Sequence, residues 1–170
     1  MDQVYPSGMV KQDVAVGFLY HAASGKVLLH LRDVDKPPGA GMWAFFGGRS
    51  EPEDGGDLLV TWCREMQEEI GVTLDPARVE SLRQGTFENG RRWADFFSAW
   101  PSLDEDFVLT EGQRYAWFSL DEALGLPDLV EYAAEDLRLF GARVALRESE
   151  PGSQHRRNLP EVAPPERPPS

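Results

Sequence analysis

Between Leu58 and Val72 the chain reads LLVTWCREMQEEIGV, and no other stretch restricts the fold so tightly. Leu59, Trp62, Cys63, Met66 and Ile70 recur at helical spacing, with Asp57 placed to cap the start and Gly71 to end it. A helix with so wide an apolar stripe must bury it against another layer. Glu65, Glu68 and Glu69 stand at i, i+3 and i+4, so at about 100° per residue they share a face turned away from the centre of that stripe. Like charges at this spacing repel by a few tenths of a kcal/mol per pair, and only Arg64 is close in sequence to offset them. Two readings are open. The glutamates form a solvated acidic face, or they hold a hard divalent cation, Mg²⁺ or Mn²⁺, which takes carboxylate oxygens and keeps positions for water and phosphate.

The flanking sequence supplies the layer. Val14–Tyr20 and Lys26–Leu31 read as two strands joined by a turn at Ala22–Gly25. Pro37, Pro38, Gly39 and Gly41 mark a loop, MWAFF a short strand stopped by Gly47 and Gly48, and Ser50–Gly56 a second loop. Val79–Phe87 and Arg92–Trp100 are strands meeting at Asn89-Gly90, a pair that favours the tight primed turn. Tyr115–Phe118 is a further strand, SLDEAL opens a short helix capped by Ser119, and Leu129 to about Leu146 is a last amphipathic helix. The order predicts an α/β fold with a mixed sheet between helical layers. Residues 1–146 form the domain. Residues 147–170 hold six of the thirteen prolines, with four arginines against four glutamates, and are expected to be a flexible tail.

Seventeen basic against twenty-nine acidic residues leave a net charge of −12, and the neutral tail places all of it on the domain. Such a surface repels nucleic-acid phosphates and argues against duplex binding. One cysteine closes no intramolecular disulfide, and the opening residues carry neither a signal-peptide pattern nor an apolar run of about twenty residues. A cytoplasmic protein without a membrane segment is expected, and a homodimer stays open. His21, His30 and His155 lack zinc-site spacing. Cys63, on the apolar stripe, reads as packing, and the loop glycines lack both GxGxxG order and a Walker lysine.

Arg64-Glu65-Met66-Gln67-Glu68-Glu69-Ile70-Gly71-Val72 resembles the signature helix of the Nudix hydrolase superfamily, whose fixed places read Arg, Glu, apolar, any, Glu, Glu, any, Gly, apolar. The preceding half of that signature is Gly, five residues, Glu, seven residues, Arg. Here five residues separate Gly48 from Asp54, and nine then separate Asp54 from Arg64. The loop is thus two residues longer and carries Asp for Glu. Glu111-Gly112-Gln113, ahead of Ala116-Trp117-Phe118-Ser119-Leu120, is similar to the late segment of MutT-type members that brings one more glutamate to the metal site.

The resemblance, from about Val14 to Phe140, implies the Nudix α/β/α sandwich and a hydrolase of phosphoanhydrides. It implies Glu65, Glu68, Glu69 and the Gly48 carbonyl as ligands of Mg²⁺ or Mn²⁺, Glu111 as a further ligand, and Asp54 as an outer-shell or structural carboxylate. Arg64 should hold a neighbouring carboxylate through a forked hydrogen bond; the plainer alternative is an i, i+4 partner for Glu68. Glu65 and Glu111 both stand as the base that activates water. The expected reaction is attack of water on a nucleoside diphosphate linked to another group. A nucleoside triphosphate, oxidised or not, or a nucleotide sugar leads among substrates. Trp43, Phe87, Trp93 and Phe97 are candidates to hold the base, and Arg32 or Arg92 to contact phosphate. The alternative is a non-catalytic nucleotide-binding or regulatory Nudix module, for which the altered loop at Asp54 is the sequence support. An isopentenyl diphosphate isomerase would need a cysteine outside the signature, and Cys63 lies inside it.

Overall fold

A computed structural model describes residues 12–151. The strands are β1 (Val14–His21), β2 (Lys26–Leu31), β3 (Trp43–Ala44), β4 (Phe46–Arg49), β5 (Val79–Thr86), β6 (Arg92–Ala99) and β7 (Arg114–Phe118). The helices are α1 (Leu58–Ile70), α2 (Leu120–Leu124) and α3 (Glu131–Ser149), and short 3₁₀ turns cover Pro52–Asp54 and Pro76–Arg78. β1 is the hub of one mixed sheet. It runs parallel to β6 over Val14–Tyr20 and antiparallel to β4 and β2, while β2 also pairs with β3 and β7, and β5 closes the far edge against β6.

The sheet is buried on both faces because its strands are apolar on both sides. Leu19, Leu28, Phe46, Ala94 and Phe96 pack with Trp62, Met66 and Ile70 of α1. The alternate residues Phe18, Val27, Leu29, Phe45 and Phe97 pack with Ala123 of α2 and with Ala133, Leu137 and Phe140 of α3. This period-two division produces the α/β/α sandwich. Helix α1 has the expected limits: the Asp57 carboxylate accepts from Leu59 N–H, and Gly71 closes the end in the left-handed region. Trp62 Nε1 donates to the Phe46 carbonyl at 3.2 Å, locking the helix onto β4. Among the described residues no helix is long and apolar enough to cross a membrane.

The structure corrects three expectations. Gly47 and Gly48 do not stop the strand. They lie within β4 and pair with Val16 and Ala15 of β1, and a Cβ on Gly47 would fall 2.1 Å from the Ala15 carbonyl oxygen. The β5–β6 connection is not the two-residue primed turn, which needs positive φ at both central residues. Only Gly90 has it, and Phe87 N–H reaches the Arg91 carbonyl around a three-residue loop. Finally, α3 runs three residues past the expected boundary, and Arg147 pairs there with Glu80 of β5. The rest of the expected tail, from residue 152 and including His155, lies outside the described residues.

Candidate active site

The site forms where α1 passes under β4. Arg64 is its organiser. Nε and Nη2 grip the two oxygens of Asp54 at 2.9 and 3.0 Å, and Nη2 also donates to the Arg49 carbonyl at 2.9 Å. Nη1 donates to Glu65 and Glu68, each at 3.1 Å. Both sequence alternatives for Arg64 are therefore present at once: a fork onto a carboxylate and the i, i+4 pair with Glu68.

Asp54 is buried, and its carboxylate also accepts from Thr61 Oγ1 and Glu51 N–H, each at 2.8 Å. The Arg64 guanidinium holds its pKa down to about 2, and the other two donors assist against the cost of burial. The longer loop folds as the Pro52–Asp54 turn that delivers Asp54 to this position. The changed loop thus seats Arg64, and it lends no support to a degenerate site.

The three glutamates do not share one exposed face. Glu68 is exposed, Glu65 partly buried, and Glu69 only 6% exposed, accepting from Gly47 N–H at 3.0 Å. The packing of α1 beneath β4 converts part of the acidic face into an interior one. Burial first, then the charge of Glu65, pushes the Glu69 carboxyl up to about 8, against the Gly47 hydrogen bond. Burial also raises Glu65, with Arg64 opposing. Gly48 is where the backbone meets this patch, since a Cβ there would sit 2.5 Å from Glu65 Oε1.

Glu111 reaches the same region on the loop before β7. Thr110 N–H donates to the Glu69 carbonyl at 2.8 Å and Thr110 Oγ1 to the Glu68 carbonyl at 2.6 Å, so the loop is tied to the last turn of α1. The charge of Glu111 contributes to the upward shifts of both Glu65 and Glu69. Its own carboxylate is 3.3 Å from Lys36 Nζ. Arg32 lines the recess beside it together with His30, Asp33, Lys36 and Gly112.

The other substrate candidates lie apart from the carboxylates. Trp43 is 5% exposed and packs edge-on against Phe118 in the layer under α2 and α3. Phe97 is buried in the same layer. Phe87 and Trp93 face each other at 6.5 Å beside the β5–β6 hairpin, with Arg83 over the Trp93 ring. Arg92 is held by Asp13 at 2.9 and 2.6 Å and by the Gly56 carbonyl at 2.8 Å, which makes it a clamp of the segment before β1 to the loop before α1. Cys63 is half-buried on α1, and burial pushes its thiol up, away from a nucleophile's range.

Sequence reasoning missed Thr61 and Thr110, which tie Asp54 and the Glu111 loop to α1, and His30 beneath that loop. Residue type alone carried no signal for them, because each acts through a contact that only the folded chain makes, across seven residues for Thr61 and between distant segments for Thr110 and His30.

A signature helix with its glutamates beneath a Gly-Gly strand, seated by an Arg–carboxylate fork on an α/β/α sandwich, is the arrangement of a Nudix domain. A NUDIX domain family model matches residues 11–140, and the chain belongs to the Nudix family. It is similar to the CTP pyrophosphohydrolase of Escherichia coli (strain K12), with 31% identity over 129 residues, covering 75% of this chain and 88% of the relative. Among solved structures it is similar to the solution structure of the E. coli ORF135 protein, with 27% identity, 86% of this chain and 100% of that chain covered, and a TM-score of 0.61. The MutT protein of Methanosarcina mazei Go1 shares the fold at 22% identity, with 80% and 99% coverage and a TM-score of 0.61.

Proposed function

We propose that this chain is a divalent-cation-dependent pyrophosphohydrolase of nucleoside diphosphates linked to a further group, with a nucleoside triphosphate as the leading substrate and a nucleotide sugar behind it. The observation that carries the reading is the pair Glu65 and Glu69, held out of water against the Gly47–Gly48 backbone with both carboxyls driven upward by burial. A stable helix gains nothing from crowding carboxylates there. Similarity to a CTP pyrophosphohydrolase favours a triphosphate.

Among the described residues no three acidic, histidine or cysteine side chains converge at ligating distance, since Glu65 and Glu68 lie on Arg64. The fit to a cation rests on the donors: three carboxylates and the cradle at Gly48, which a side chain would fill. Glu65, Glu68, Glu69 and the Gly48 carbonyl would hold Mg²⁺ or Mn²⁺, with Glu111 as a further ligand. When bound, the cation neutralises phosphoanhydride oxygens and lowers the pKa of water. An acidic cleft receives a polyphosphate only with such neutralisation.

The chain's own residues do the rest. Asp54 orients the Arg64 guanidinium, which aligns Glu65 and Glu68 along the helix. Arg32, beside Glu111, meets the substrate phosphates. Glu111, on a loop, or Glu65, on the helix, takes the proton of the attacking water as it adds to phosphorus and the bridging oxygen departs. A triphosphate then yields a nucleoside monophosphate and pyrophosphate. A single cysteine and an acidic surface suit a reducing, cytoplasmic setting.

The test is purified protein with Mg²⁺ or Mn²⁺ against nucleoside triphosphates, nucleotide sugars, dinucleoside polyphosphates and dinucleotide cofactors, reading phosphate after phosphatase coupling. Turnover of a triphosphate to its monophosphate supports the reading. Tight nucleotide binding without turnover under either cation would establish the binding module instead.

A further inference from the structure

His30 is 2% exposed, yet among the described residues neither of its ring nitrogens has a hydrogen-bond partner. It lies on β2, with its ring on Phe46 at 4.5 Å between centroids, and Phe46 begins the strand that carries Gly47 and Gly48. The Glu111 loop lies close to Nδ1: a Cβ on Gly112 would fall 3.2 Å from that nitrogen and 3.1 Å from the Leu31 carbonyl oxygen, and Gly112 itself has φ 96°. The backbone carbonyls of Phe45 and Glu111 both face the ring without reaching hydrogen-bond geometry.

A neutral imidazole carries one N–H, so His30 has a single donor for two carbonyls. The recess beside it, lined by Arg32, Asp33, Lys36, Glu111 and Gly112, has no room for a water molecule to serve the second. Leucine would fill the same volume without leaving a buried nitrogen unpaired, so packing alone does not explain a histidine here.

The loop above it is anchored on both sides of Glu111. Thr110 is bonded to α1 as described, Gly112 N–H donates to Asp33 Oδ2 at 3.2 Å, and Gln113 N–H donates to the Leu31 carbonyl at 2.8 Å. Between these anchors the peptide of Glu111 is the link whose orientation decides where its carboxylate goes.

We propose that His30 is a positioning residue for Glu111: its single N–H, carried on Nδ1, closes on the Glu111 carbonyl as the Glu111 carboxylate turns from Lys36, which it meets in this structure, to the helix glutamates. This rests on the reading of Glu111 given above. His30 touches neither substrate nor cation in this scheme.

The test uses full-length protein and the variants H30L, H30N and E111Q, with H30L/E111Q as the double. In H30L, kcat should fall roughly tenfold to a hundredfold, the effect of a displaced reacting group, with KM within about twofold and no loss of melting temperature. H30N, whose amide nitrogen takes the place of Nδ1, should recover most of the rate. Adding E111Q to H30L should cost far less than E111Q costs alone. Two readouts need no turnover: in cation-free protein the amides of residues 110–113 should exchange faster in H30L while those of α1 do not change, and the ¹⁵N shifts of His30 should report the Nδ1–H tautomer.

Loss of activity in E111Q with a normal rate in H30L would overturn the proposal and leave the reading of Glu111 standing. A normal rate in E111Q would remove that reading and the positioning role with it. An Nε2–H tautomer, or H30L and H30N equally impaired with unchanged exchange at 110–113, would make His30 a packing residue.

Discussion

Two buried acid–arginine clusters sit on opposite faces of the same sheet and are built on different terms. On the α1 face Asp54 meets Arg64 with every donor matched: a two-pronged guanidinium, a threonine hydroxyl and a backbone N–H. On the α3 face Asp136, fully buried, and Asp95, 5% exposed, share the one guanidinium of Arg83, which is also drawn to exposed Glu135. Neither oxygen of Asp136 has a hydrogen bond of good geometry among the described residues. The first cluster holds its carboxylate ionised, with a pKa near 2. In the second, burial and the neighbouring Asp136 push Asp95 up to about 8, so the pair keeps a proton at neutral pH. One guanidinium satisfies one carboxylate. Two carboxylates on one guanidinium hold a proton instead.

The largest effect that separates the faces is catalytic. Glu69→Gln or Glu68→Gln should reduce kcat at least about a hundredfold, because each takes charge from the proposed cation site without changing helix shape. Glu69→Gln retains an acceptor for Gly47 N–H, so its cation-free melting temperature should hold or rise. Asp95→Asn, on the other face, should leave kcat within about twofold if that cluster only fastens α3. Steady-state kinetics at saturating Mg²⁺ decide both, and full turnover in Glu69→Gln would remove the ligand assignment.

Next in size is the loss of Arg64. Arg64→Ala leaves Asp54 buried without its partner and should cost about 3–5 kcal/mol in urea unfolding, whereas Asp54→Asn, which retains hydrogen bonding, should cost less.

The pH dependence sharpens the contrast, because the two shifts have opposite signs. Asp54 is lowered in the folded state, so its contribution is present above the unfolded carboxylate pKa and is lost as pH falls from about 4 towards 2. Asp95 is raised, so its contribution is full below the unfolded pKa and is lost as pH rises from about 4 through about 8. The difference in unfolding free energy between the native chain and Asp54→Asn should therefore change only at the acid end, and that for Asp95→Asn across the neutral range, by the order of 1 kcal/mol or more. A flat difference for Asp95→Asn would show that Arg83 keeps both aspartates ionised.

The smallest effect concerns Arg92, with Arg32 one of two sequence candidates for a phosphate contact and found as a clamp on Asp13. Arg92→Ala should lower the melting temperature by about 2–4 °C per kcal/mol lost, with substrate KM unchanged. A large rise in KM would return it to the substrate site.

These clusters also mark how far the sequence reaches. The glutamates, Arg64 and their helix were legible because their relations are local: helical geometry turns spacing directly into neighbourhood. The family pattern implied a fork from Arg64 to a neighbouring carboxylate and a structural role for Asp54, but that the two are partners across ten residues was decided by the fold. Strand order was legible only as a class, since periodicity gives each strand two faces and leaves its neighbours unnamed. The α3 cluster had no signal at all, because Arg83, Asp95 and Asp136 come from β5, β6 and α3 and are ordinary polar residues until packing removes their water.

What the sequence determined by itself was the signature helix, its caps and its carboxylates, products of short-range periodicity, and from the order of elements a mixed sheet between helical layers; the sandwich followed from the resemblance to the family. Only the tertiary structure decided that Glu69 is interior while Glu68 is not, that Arg92 fastens the fold, and that His30 lies unpaired beneath the Glu111 loop. Burial and the pKa shifts it brings depend on which segments meet, and segments far apart in the chain meet only through packing.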